Sequence, residues 1–195
     1  MAFSELVNSE RVNAVVGWAM IAIVALGAAE SLLTTATLWG GLSLFIVAVA
    51  SLPALTTRNW KEMVSWPVLS VAAVAVVARA IDVFSEIAGY VAIASLALVI
   101  VVEVDVFTPV ELSNRFAVVF AVLTTMAIEA LWIVAQFFSD TWLGTRFLRS
   151  QTELQEDIVI VTVVGFAVGG VFYWYFTRFE PVGAVDRPAN HARTR

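Results

Sequence analysis

Residues 86–107 read EIAGYVAIASLALVIVVEVDVF, with no charge between Glu86 and Glu103. Val and Ile also build strands, but a membrane strand alternates and ends after about ten residues, whereas this run goes on for about twice that length without alternation. It predicts a helix. At 1.5 Å per residue, such a helix covers the roughly 30 Å of a bilayer's hydrocarbon layer.

Working outward, five more runs of the same kind fill most of the 195 residues. Cut at charges, prolines and caps, they fall at about Val12–Ala29, Leu32–Leu55 and Pro67–Phe84 before the quoted stretch, and Pro109–Ser139 and Thr152–Thr177 after it. Thr108-Pro109-Val110-Glu111 supplies an N-cap, a proline at the first helical position and a capping-box glutamate. Ser150-Gln151-Thr152-Glu153 repeats that capping logic for the last run. The whole chain is 61% hydrophobic with a mean hydropathy of +0.90, against roughly 45–50% apolar residues in a soluble domain. The expected fold is therefore all-α, a polytopic transmembrane bundle of about six helices, multi-pass in the cell membrane.

Lys and Arg set the expected direction, because cytoplasmic loops carry the excess. With both termini cytoplasmic, Arg11, Arg58, Lys61, Arg115, Arg178, Arg187, Arg193 and Arg195 lie inside, and Arg79, Arg146 and Arg149 outside. The domain division that follows is a cytoplasmic segment 1–11, a membrane domain 12–177 and a cytoplasmic tail 178–195. Arg11, an apolar stretch and Gly27-Ala28-Ala29 loosely imitate a signal peptide, but Glu5 and Glu10 remove the net positive start that one requires.

Composition excludes several chemistries. There is no cysteine, so disulfides, iron–sulfur clusters and thiol catalysis are absent. The sole histidine, His191, stands four residues from the end, leaving no residue for histidine-ligated haem or a Ser-His pair. The sole lysine, Lys61, sits in a loop, so a Schiff base inside the bundle has no amine. No catalytic residue, metal site or cofactor is expected. Sixteen acids against eleven bases, with no basic stripe, speak against a nucleic-acid partner, and such acidity suits a halophilic archaeon.

What remains is carboxylate and arginine chemistry within the oily runs, where a charge costs several kcal/mol on its own, about 2.5–3.5 on insertion scales. Glu129 lies near the middle of the fifth run. At 100° per residue, Arg115, Thr125, Glu129, Trp132, Gln136 and Asp140 form one polar stripe, expected to face inward. Arg79 and Asp82, at i and i+3, are placed to pair at the outer end of the third helix. Glu86, Asp140, Arg146, Arg149, Glu153, Glu156 and Asp157 come to the same end, so a polar pocket above Glu129 is the candidate site. Arg79, Asp82, Glu129, Gln136, Asp140, Glu156 and Asp157 are its expected members. The plainer alternative is snorkelling side chains and helix-end acids that complement the macrodipole. Glu103 and Asp105 read as interfacial. Gly165 and Gly169 are spaced as GxxxG in the last helix and read as helix packing, since no Lys follows to make a phosphate loop.

From Glu111 to Phe176, Glu111-Leu112-Ser113-Asn114-Arg115-Phe116 opening a helix, the acid at Glu129, and Gln155-Glu156-Asp157 before Gly165 and Gly169 resemble the YjdF-like small polytopic membrane proteins. The stretch is also distantly similar to VanZ-like proteins. The resemblance implies a helical membrane protein, with Glu129 and Asp157 as inward polar positions. For VanZ-like members it implies an association with glycopeptide resistance. Where those families carry a histidine, this chain has Asn114, which does not titrate near neutral pH.

Three functions are weighed. The first is a non-enzymatic accessory protein whose outer pocket holds a membrane lipid, a membrane-protein partner or a second copy. The second is a small proton-coupled transporter using Glu129, and the third a carboxylate-based enzyme acting inside the membrane on a lipid-linked substrate.

Overall fold

The computed structural model describes residues 10–107 and 114–145, together with 147, 155, 158–160, 162–167 and 169–170. The described residues are helical throughout, with short turns and no strand, as the sequence predicts. In chain order the helices are α1 (Glu10–Leu33), α2 (Thr37–Thr57), α3 (Trp66–Ala80), α4 (Ser85–Phe107) and α5 (Asn114–Leu143). The described residues of Ile158–Ala167 form a sixth, α6. Four segments are long and apolar enough to cross a membrane: Glu10–Leu33, Thr37–Thr57, Ile87–Phe107 and Val118–Leu143.

Several boundaries move from their expected places. The first break falls at residues 34–36 and not before Leu32, because Glu30 propagates a helix as readily as it ends one. Thr34 closes the turn, its N–H and its hydroxyl donating to the carbonyl of Glu30 at 2.9 and 3.0 Å, and Thr35 takes the left-handed conformation at φ 65°. The third helix is shorter than the expected Pro67–Phe84: α3 has 15 residues, about 22 Å at 1.5 Å each, short of the hydrocarbon thickness. Beyond Ala80 the chain turns through Asp82 and Phe84, at φ 56° and 49°, and cannot stay helical. The expected opening of the fifth helix at Pro109 lies outside the described residues, and α5 runs four residues beyond the expected Ser139.

α4 is the central element, packed against α2, α3 and α5, with α1 beside α2 and α3. Ala92, Ile93, Leu96, Ala97 and Val99 of α4 are all buried, and Ser95 beside them satisfies its hydroxyl on the carbonyl of Ala92 at 2.8 Å. The shared core adds Ile21 and Val24 from α1, Ile46 and Val49 from α2, and Leu69 and Val76 from α3. Close approach of α1 and α3 needs Gly27, where a methyl group would overlap Val76. The outer faces are apolar: Leu26, Leu55, Val74 and Leu131 are each about two-thirds exposed. Soluble proteins rarely show such a surface over four helices at once, and a bilayer requires it.

At the end where α1 begins, two polar contacts fix the register. Asn13, buried in α1, accepts the backbone N–H of Trp66 at 2.8 Å and so caps the start of α3. One turn on, the indole N–H of Trp18 donates to the carbonyl of Trp60 at 3.0 Å.

Candidate functional site

From Thr125 onward the polar stripe of α5 turns inward; the side chain of Arg115 lies outside what the structure describes. Thr125, Glu129 and Trp132 are buried, Gln136 and Asp140 partly so. Thr125 spends its hydroxyl on the carbonyl of Ala121 at 2.8 Å, which leaves Glu129 the ionisable member of the buried section.

Trp132 shows where along the bundle that section lies. Its ring meets that of Trp39 at 4.6 Å between centroids, tilted by 48°. Trp39 belongs to the first turn of α2, and its indole rests on Gly89 in α4, where a Cβ would stand 2.5 Å from Cη2. The guanidinium carbon of Arg79, in the last turn of α3, lies 5.0 Å from the Trp39 centroid. Four helices thus build one cluster, Arg79–Trp39–Trp132, with Glu129 one turn below Trp132 on the same face. Glu129 is central in α5, yet it stands within about two turns of the bundle end where α2 and α4 begin.

The structure separates Arg79 from Asp82. Asp82 is exposed in the left-handed turn after α3, and the guanidinium carbon of Arg79 lies over an indole instead. Arg79 is partly buried, and among the described residues none takes a hydrogen bond from its N–H groups. A guanidinium held over an aromatic ring still has its N–H donors to offer an anion.

Asp140 has a local task. Its Oδ1 accepts the hydroxyl of Thr145 at 2.6 Å and the backbone N–H of Phe147 at 2.9 Å, while Ser139 and Thr145 share a hydrogen bond at 2.8 Å. This network folds the chain back over the end of α5, and Gly144 at φ 70° permits the reversal. Gln136 lies between the two groups, half-buried on the same face. Glu156 and Asp157, with Arg146, Arg149 and Glu153, lie outside the described residues. Glu103 is partly buried toward the far end of α4, and its Oε1 accepts no hydrogen bond among the described residues.

Gly165 and Gly169 are buried against α5, the first facing Thr125 and the second Val118 and Val122. A methyl group at either would meet its neighbour at 3.4 or 3.6 Å, ordinary contact, so α6 approaches α5 less tightly than α1 approaches α3.

The sequence alone singles out neither Trp39 nor Gly89 nor Asn13 as partners in a contact. An Asn one turn inside an apolar helix was the available signal for the last. Nothing local signals that Trp39 and Trp132, 93 positions apart, share a contact.

A family model described as Domain of unknown function (DUF8268) matches residues 2–63, which takes in α1, α2 and the loop that follows. No curated protein and no solved structure matches the chain. The matched segment ends before Glu111–Phe176, and no match links the chain to YjdF-like or VanZ-like proteins.

Proposed function

We propose that this chain is a multi-pass protein of the cell membrane, with both termini cytoplasmic, that works without chemistry of its own as a binder of phosphate-bearing lipid headgroups at the outer end of the bundle. The observation that carries this reading is Arg79, held over Trp39 with its N–H donors unused by any described residue. Orientation is supported by charge: Arg11, Arg58 and Lys61 stand at the end where α1 begins, and Arg79 at the other.

Native mass spectrometry after mild detergent extraction tests the reading. The wild type is expected to retain a phospholipid that Arg79→Gln loses, with folding checked by unchanged circular dichroism. A second copy or another polypeptide retained in place of lipid would replace this reading by a partner-binding one, and a bare monomer would end both.

The burial of Glu129, 4% exposed, favours a proton-coupled carrier as a second reading. Its height in the bundle weighs against that, because carriers hold their coupling groups near the midplane. Glu129→Gln in proteoliposomes decides it: flux driven by a pH gradient should vanish if the carboxylate carries the proton.

A further inference from the structure

The opposite end of the bundle carries a second group of residues that the outer pocket does not use. α2 ends at Thr57, and Arg58 follows in the left-handed conformation at φ 54°. The next residues are tied down by Asn59. Its Oδ1 accepts the N–H of Lys61 at 3.2 Å, its Nδ2 donates to Oε1 of Glu62 at 3.0 Å, and its own N–H donates to the Thr57 hydroxyl at 3.3 Å. Met63 and Val64 then plunge into the core, Met63 against Gly17 of α1. Trp18 holds the carbonyl of Trp60 from behind. A loop so fastened has little freedom, and it presents Arg58 and the Trp60 indole, half-exposed, outward beside a partly exposed Lys61.

From this placement we infer that Arg58, Trp60 and Lys61 form a docking site for an anionic phospholipid headgroup in the leaflet at the end where α1 begins. Charge complementarity argues for that occupant. Arg11, exposed in the first turn of α1 at the same end, adds a third base. Of the four described acids toward this end, Glu62 is engaged by Asn59, Glu10 is exposed in the first turn of α1, where the helix dipole favours it, and Glu103 and Asp105 stand near the end of α4, both partly buried and not in the loop that carries Arg58 and Lys61. An indole at the boundary of headgroup and acyl chain, flanked by two cations, matches an anionic lipid on both counts: the ring takes the interfacial layer and the bases take the phosphate. Arg58 and Lys61 differ usefully here, the first a planar fork and the second a point charge on a flexible stem. All these residues lie within the 2–63 segment matched by the family model.

This site is independent of the one at Arg79, and the test keeps them apart. The full-length chain, as wild type and as Arg79→Gln, is placed in nanodiscs of phosphatidylcholine and phosphatidylglycerol in equal parts, and the ratio of the two lipids retained is read by native mass spectrometry. In both backgrounds phosphatidylglycerol should be enriched, and R58Q/K61Q should lower that enrichment about fivefold or more, the effect expected for bases at a charged leaflet. Glu62→Gln, which keeps the acceptor for Asn59 and removes a negative charge, should raise it. Opposite responses to these changes cannot come from misfolding. An unchanged ratio across R58Q/K61Q and Glu62→Gln, or enrichment that depends on Arg79 alone, would overturn the inference.

Discussion

At the level of single residues, the cluster around Trp39 is held by contacts with little slack. Trp39 sits on Gly89 because glycine has no side chain to exclude it. Gly89→Val should displace the indole and lower stability by about 1–3 kcal/mol, the usual cost of forcing extra atoms into a packed site, read as a reduced Tm in detergent. The same variant should lose lipid at Arg79 even where the protein stays folded, since the stacking surface has moved. At the other end, Asn13→Leu removes the acceptor for the N–H of Trp66, and a cost of about 1–3 kcal/mol is expected for a buried group left short of a partner. Phe84 offers the opposite sign. Its φ of 49° strains a bulky residue, so Phe84→Gly should leave stability unchanged or raise it by less than about 1 kcal/mol, whereas the same replacement in mid-helix costs about that amount.

Among the helices, what could be read in advance follows a physical division. Length and apolarity made the long helices legible, because a membrane leaves few alternatives for an uncharged run. The inward stripe of α5 was legible for a related reason: Glu129 is too costly to face lipid, and helical geometry carries Thr125 and Trp132 to the same side. The pairing of Arg79 with Asp82 was misread because it assumed that the helix continues. Aspartate enters the left-handed region readily, and once it does, a three-residue spacing no longer places two side chains on one face. Contacts between helices distant in sequence were not legible at all, since periodicity says which face is buried and not what lies opposite. The glycines divide along the same line. Gly165→Ala and Gly169→Ala should change Tm by no more than a degree or two's worth of contact, well under about 1 kcal/mol, because the methyl groups fit and alanine favours a helix. Gly27→Leu, where even a methyl overlaps Val76, should prevent stable packing of α1 on α3.

For the molecule as a whole, the absence of cysteine makes topology directly measurable, because any introduced thiol is unique. Lys61→Cys and Asp82→Cys mark opposite ends of the bundle, and both replaced positions lie in turns. A membrane-impermeant maleimide applied to intact cells should label Asp82→Cys and spare Lys61→Cys until the membrane is opened. Labelling in the reverse order would invert the proposed orientation while leaving the fold untouched. The helices also differ in reach. Val118–Leu143 has 26 residues and is about 39 Å long, while α3 on the far side of α4 measures about 22 Å. Against a hydrocarbon layer of about 30 Å, the first runs on past the level of Trp39 and stands beyond the layer at its Leu143 end, while the second falls short and thins the lipid beside it. Such a body deforms the sheet it lives in unequally on its two flanks, and it should gather where membrane thickness already changes.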